Sequence, residues 1–131
     1  MDNINKQIVY WQKSAERDWQ IALDLFKTKH YDACLFFCHL TLEKLLKSLV
    51  IKATDEPAPY IHDLTKLANL ANLDLSTEQI KNLKIINQFN IAGRYDNIKH
   101  EFYKLCTKEY ADKYLSITHA LYLWLKKFLK K

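Results

Sequence analysis

Arg94 and His100 are the two side chains of this sequence best suited to chemistry on a phosphate ester. A histidine titrates near neutrality, so it can move the proton of a ribose 2′ hydroxyl or of a leaving oxygen without a metal ion. A guanidinium stays charged and can bind two phosphate oxygens at once, which stabilises the charge that builds up in the transition state. These residue types allow either proton transfer at a phosphate ester or simple binding of a phosphate group, and they leave both open.

The spacing of these two residues restricts how they can meet. On a straight α-helix six residues rotate by about 600°, which leaves the two side chains about 120° apart and roughly 9 Å displaced along the axis. Arg94 and His100 would not converge on one regular helix, so one solution is a partly unwound segment after Gly93. Further candidates to bind nucleotide or RNA lie close by in the sequence: Tyr95, Asn97, Lys99 and Lys104.

The positive charge of the chain is concentrated around and after these residues. Residues 1–93 carry 11 basic and 11 acidic side chains, whereas residues 94–131 carry nine basic and four acidic ones. The formal net charge of +5 therefore lies entirely in the second segment. A local positive field favours RNA, nucleotide phosphates or an acidic protein face, although a lysine-rich surface can also be merely solvated.

Helical periodicity predicts the elements that hold these residues. Apolar side chains recur every three or four residues over 4–26, 31–52, 80–89 and 110–128, and a shorter helix opens at His62 and Asp63. The second helix is apolar around much of its circumference and should be central. A capping-box pattern at Ser76 and Gln79 starts the fourth helix, which we expect to end near Gly93, with residues 93–106 irregular.

Composition agrees with these elements. One glycine and two prolines accompany 49% hydrophobic residues, which leaves few turn formers. Both prolines lie in residues 54–60, which therefore form the first substantial loop. The sequence predicts a single all-α domain over residues 1–131, an up-and-down bundle of four long helices plus one shorter helix.

Several other kinds of site are disfavoured. Three cysteines, Cys34, Cys38 and Cys106, make an odd number and are better explained as reduced thiols than as a disulfide framework. Cys34, Cys38 and His39 share a stretch of helix, but the sequence points to no further ligands, so we expect no metal. A single glycine cannot build a phosphate-cradling loop, and we expect no cofactor.

The sequence also argues against a membrane location. No apolar stretch approaches the roughly 20 residues that cross a bilayer. Residues 1–7 lack the basic start and apolar run of a secretory signal. We expect a cytoplasmic protein with no membrane contact.

The order and spacing of several elements resemble the HEPN family, a helical-bundle domain that handles nucleotides or RNA. The resemblance covers nearly the whole chain, and no single element of it is specific. Its residues are Trp11, Ala15, Asp18 and Ala22, then Tyr31, Ala33 and Phe37, the run of residues 43–47 with Glu43 and Lys47, then His62, Asp63 and Leu64, and finally Arg94 and Tyr95.

The resemblance implies a function and partners. Family members work beside minimal nucleotidyltransferases, which here implies a homodimeric RNA- or nucleotide-binding half of a two-component, toxin–antitoxin-like system. Active members carry an arginine and a histidine separated by four to six residues, and they complete the site across a two-fold dimer. Arg94 and His100 have five residues between them. The alternative is therefore a metal-independent endoribonuclease toxin in which these two residues are catalytic.

The remaining motif positions favour a structural interpretation. Glu43 and Lys47 are four residues apart, which on a helix surface makes a pair worth about 0.2 to 0.5 kcal/mol. Asp18 lies beside the apolar stripe of the first helix, where it needs a basic partner from a neighbouring helix. Asp63 can cap the helix that follows it, and His62 supports that cap and its loop.

Overall fold

The computed structural model describes residues 2–130, and these form six α-helices followed by one 3-10 turn. The described residues contain no strand, which confirms the all-α prediction. The elements in chain order are α1 Asp2–Lys27, α2 Tyr31–Thr54, α3 Leu64–Leu70, α4 Thr77–Asn87, α5 Asp96–Leu105, α6 Lys108–Lys126 and the 3-10 turn Lys127–Lys130.

Helix α2 is the centre of the bundle. Fourteen of its 24 residues are buried, and it packs against α1, α3, α4, α5 and α6. A helix surrounded on most sides must be apolar around most of its circumference, which is what the sequence of α2 shows. The prediction that this helix is central is confirmed.

Two helix starts are fixed by side chains that the sequence identified. The side chain of Asp63 accepts hydrogen bonds from the backbone N–H groups of Thr65 and Lys66 at the start of α3. Ser76 and Gln79 form a reciprocal capping box at the start of α4. Such caps satisfy N–H groups that have no partner within the helix, and each contributes about 0.5 to 2 kcal/mol.

The predicted count of four long helices and one shorter helix is wrong. Helix α4 ends at Asn87 rather than near Gly93, because the N–H groups of Gln88 and Phe89 bond three residues back and close the helix. Residues 93–106 are not irregular, since most of them form α5. Gly93 lies between the two helices with a φ of +76°, a left-handed conformation that favours glycine.

A cluster of aromatic rings attaches α5 to the bundle. Phe89, which is 1% exposed, packs at centroid distances of 5.6 Å against Phe102, 6.1 Å against Tyr110 and 5.4 Å against Tyr114. Phe102 is the buried residue of α5, and Phe89 follows the end of α4. These rings therefore join α4, α5 and α6 through one contact region.

The three cysteines are buried free thiols, as predicted. Burial, with smaller contributions from Asp32 and Cys34, raises the pKa of Cys106 to about 12. Among the described residues, no helix combines the length and the apolar character that crossing a bilayer requires.

Candidate nucleic-acid interface and buried charge cluster

Residues 92–100 form the longest exposed run of the bundle, and we call them the exposed segment. All nine residues are exposed, including both members of the predicted Arg94 and His100 pair. The segment comprises the turn around Gly93 and the first half of α5. Because only Phe102 anchors α5 by burial, the first turns of this helix project their side chains into solvent.

Helical geometry sorts the candidate residues of α5 into two groups. Phe102 points into the core, and at 100° per residue Asn97, His100 and Lys104 lie within about 60° of one another on the opposite face. Lys99 is also exposed, but it lies about 60° from Phe102 and lines a recess with Asp32, Ala33 and Phe36 of α2. The structure therefore brings three of the predicted residues onto one outward face and places Lys99 elsewhere.

Arg94 and Tyr95 precede the helix. The N–H of Arg94 donates to the carbonyl of Ile91 at 3.1 Å, and Tyr95, which is 81% exposed, is the residue before α5. The 120° separation expected on a straight helix does not apply, because Arg94 lies in the turn. Within residues 2–130, neither the guanidinium of Arg94 nor the imidazole of His100 forms a hydrogen bond or an ion pair, so both are available to a ligand.

A buried charge cluster lies on α2, and we name it the Glu43 cluster: Glu43, Lys47, His39 and His62. Glu43 and Lys47 are each 5% exposed, and Lys47 Nζ donates to Glu43 Oε2 at 2.9 Å. Nδ1 of His62 lies 3.1 and 3.2 Å from the two oxygens of the same carboxylate. The expectation of a surface pair is therefore wrong, because α2 is enclosed where these residues lie.

His39 is the buried imidazole of the cluster. Its Nε2 lies 3.0 Å from the carbonyl oxygen of His62, which can only accept, so Nε2 carries the proton. Burial lowers the pKa of His39, and the Glu43 carboxylate and the His62 carbonyl only partly oppose this. The neutral ring therefore turns an unprotonated Nδ1 toward Glu43 Oε1, 3.7 Å away.

Asp18 and Asp63 also pair within the fold. Nζ of Lys44 lies 2.7 Å from Asp18 Oδ2, an ion pair that joins α1 to α2. Asp63 Oδ1 accepts from Thr65 and Lys66 and also from Nδ2 of Asn87, at 2.9 Å. Burial alone would raise the pKa of Asp63, but these hydrogen bonds together lower it, so the carboxylate is ionised at neutral pH.

Asn87 is a residue that the sequence did not reveal. Its Oδ1 accepts from the N–H of Leu64 at 2.8 Å while its Nδ2 donates to Asp63, so it connects the end of α4 to the start of α3. The partners are 23 and 24 positions away in the sequence. An asparagine near a helix end has many local roles, and no spacing rule identifies a partner so distant.

The comparisons with known proteins agree with this architecture. The family model of the HEPN domain matches residues 8–128. No curated protein and no solved structure matches the chain significantly. Because the matched region includes almost every residue of the bundle, from α1 to the terminal 3-10 turn, the chain belongs to the HEPN domain family.

Proposed function

We propose that this protein binds RNA or nucleotide phosphates through the exposed segment and the outward face of α5. The observation that carries the proposal is that these side chains are exposed together: Arg94, Asn97, His100 and Lys104. They lie on or beside a helix that buries only Phe102. Arginine and lysine bind phosphate oxygens, and asparagine and neutral histidine can both donate to them. Tyr95 adds an exposed ring on which a base can stack.

Binding can be tested with a fluorescent single-stranded RNA and anisotropy at several salt concentrations. Arg94→Ala and Lys104→Ala should each weaken binding and reduce the slope of log affinity against log salt by about 0.7, because each removes one phosphate contact. Lys81→Ala is the matched control, since Lys81 is an exposed lysine on α4. Equal affinities and slopes for all three variants would show that RNA binds elsewhere or not at all.

We also propose that the protein is a cytoplasmic homodimer. We infer that the protein forms a homodimer through α5, because Ile98 and Leu105 are exposed apolar side chains that lie within about 20° of each other on one side of this helix. A two-fold interface would bring a second Arg94 and His100 to the same surface. Ile98→Glu should convert the dimer to a monomer in sedimentation, whereas Val9→Glu on α1 should not. Three free thiols are consistent with a cytoplasmic protein.

We further propose that the partner is a minimal nucleotidyltransferase in a two-component, toxin–antitoxin-like system. The family membership supports this part of the proposal. A co-purification experiment with the product of the adjacent gene tests it. Expression of this chain alone should slow growth, and co-expression of that gene should restore growth.

A second candidate function is a metal-independent endoribonuclease. The position of Arg94 favours it. Arg94 lies in the turn before α5, so the 120° separation from His100 that a continuous helix would impose does not apply. His100 would transfer the proton and Arg94 would stabilise the phosphate. In EDTA, wild-type protein should cleave a mixed RNA, and Arg94→Ala and His100→Ala should lose cleavage while His119→Ala retains it. Folded wild-type protein that leaves RNA intact would exclude this candidate.

A further inference from the structure

A small polar recess next to the exposed segment presents unused hydrogen-bond acceptors. His62, Asp63, Asn87 and Asn90 line this recess, which has a volume of about 170 Å³. Sites that enclose a whole small molecule measure about 300 to 1,000 Å³, so this recess fits one edge of a ring. We call it the amide recess, after its two asparagines.

The first unused acceptor is Asp63 Oδ2. All the hydrogen bonds that Asp63 receives, from Thr65, Lys66 and Asn87, end on Oδ1. Within residues 2–130, Oδ2 receives none, and it is not fully buried. One oxygen thus fixes the carboxylate in place, and the other remains an anionic acceptor for a ligand.

The second unused acceptor is Nε2 of His62. The side chain of His62 is 66% exposed, yet its Nδ1 contacts both oxygens of buried Glu43. The Glu43 oxygens also accept from Lys47, so Nδ1 of His62 is the nitrogen that donates to this carboxylate, and the neutral form of the ring then has its lone pair on Nε2. A carboxylate thus orients the exposed imidazole, and its outer nitrogen accepts no hydrogen bond from the described residues.

The two residues that carry these acceptors, His62 and Asp63, both line the recess, so the recess favours a ligand that donates N–H bonds and disfavours phosphate. Asn90 lies four residues before Arg94, so their Cα atoms are at most about 14 Å apart. A few stacked nucleotides at about 3.4 Å each cover that distance. The geometry points to the amide recess as a base-reading site that accepts the exocyclic amino group of a nucleobase, adjoining the phosphate-binding exposed segment. This inference rests on the proposed RNA or nucleotide binding.

Free nucleosides test the amide recess separately, because they lack the phosphate that the exposed segment would bind. We would titrate the protein at pH 8, above the ordinary titration range of imidazole, and follow amide resonances of Leu64, Asn87 and Asn90 by NMR. Guanosine is compared with inosine, which lacks the 2-amino group, and cytidine is compared with uridine. The amino nucleoside of at least one pair should bind about tenfold or more tightly, as expected for a hydrogen bond to a placed acceptor.

Two variants keep the fold while changing the acceptors. Asp63→Asn retains a capping oxygen but replaces the open acceptor with an N–H donor, and asparagine is itself a good helix cap. His62→Asn keeps an N–H near Glu43 and removes the outer ring nitrogen. Both should abolish the preference for the amino nucleoside, whereas Lys66→Ala, at an exposed position of the same turn, should keep it.

The outcomes separate this inference from the proposed function. No shifts with any nucleoside, or equal shifts within both pairs, would overturn the base-reading site even if Arg94→Ala still weakened RNA binding. Shifts caused by an arginine amide and not by nucleosides would also overturn it and indicate a protein ligand. Nucleoside discrimination that Asp63→Asn removes would support the recess even if the RNA affinity proved independent of Arg94.

Discussion

Replacing Lys47 with methionine tests the energetics of the Glu43 cluster. The substitution preserves the length of the side chain and removes its charge, which leaves Glu43 as a buried carboxylate without its cation. Lys47 Nζ also lies 5.2 Å from the ring centroid of Trp11, so the variant loses a cation–π contact between α2 and α1 as well. The variant therefore loses both the ion pair with Glu43 and the contact with Trp11, and it leaves the charge of Glu43 uncompensated.

The structure sets the expected size of the effect. Both partners are 5% exposed and their charged atoms are 2.9 Å apart, so the pair belongs with buried ion pairs, where removing one partner costs about 3 to 5 kcal/mol. The desolvated cation–π contact contributes to that loss. A domain of this size is stable by about 5 to 15 kcal/mol, so Lys47→Met removes a large share of the stability.

Urea denaturation followed by circular dichroism measures this change. Lys47→Met should lower the free energy of unfolding by about 3 to 5 kcal/mol, and Lys81→Met on the exposed face of α4 should leave it nearly unchanged. The double variant Glu43→Gln with Lys47→Met should be less destabilised than the sum of the two single variants, because neither charge then remains uncompensated.

A small loss of stability would show that the pair is not buried. If Lys47→Met cost less than about 0.5 kcal/mol, the pair would behave as a solvent-exposed i,i+4 pair, and the enclosed position of this part of α2 would be wrong. Additive single variants would likewise show that Glu43 and Lys47 do not interact in the folded protein.

Three further outcomes are expected. Phe89→Ala should lower the free energy of unfolding by about 3 to 5 kcal/mol in urea, because it leaves a cavity among Phe102, Tyr110 and Tyr114. Burial lowers the pKa of His39 below the 6.5 of a free imidazole, so below that pH the unfolded chain binds the proton first. The stability that neutral His39 contributes is therefore complete above pH 6.5 and is lost as the pH falls. Between pH 8 and pH 5, the unfolding free energy of His39→Gln should fall less steeply than that of the wild type. Cys106, with a pKa of about 12, should not react with a thiol reagent at pH 8 until the protein is denatured.

The sequence predicted the elements whose signals are local. The caps at Asp63 and Ser76 depend on one side chain and the next two or three backbone N–H groups, so residue type and spacing identify them. The central position of α2 follows from a helix that is apolar on most sides. The contact of Asn87 with Asp63 joins residues 24 positions apart, and no local pattern encodes such a pair.

Helix α5 escaped prediction although a weak signal for it exists. Ile98, Phe102 and Leu105 have helical spacing, Asp96 lies in the first turn and Lys104 in the last, where they complement the helix dipole. The helix is only ten residues long, has no side-chain cap, and buries only Phe102. A short helix stabilised mainly by one aromatic contact across the bundle depends on tertiary packing more than on its own sequence.

The Glu43 cluster shows how two sequence predictions should have constrained each other. A helix predicted to be central cannot also present an ordinary surface ion pair in its middle, so the i,i+4 spacing of Glu43 and Lys47 already indicated a buried pair. A buried carboxylate needs donors beyond one lysine, because each of its oxygens can accept more than one hydrogen bond. The candidate donors were the histidines, and His62 fulfils this role from the loop before α3. The imidazole of His62 is exposed, so its hydrogen bond to buried Glu43 both satisfies the carboxylate and orients a ring at the surface. A residue with a structural role can therefore also belong to a binding site.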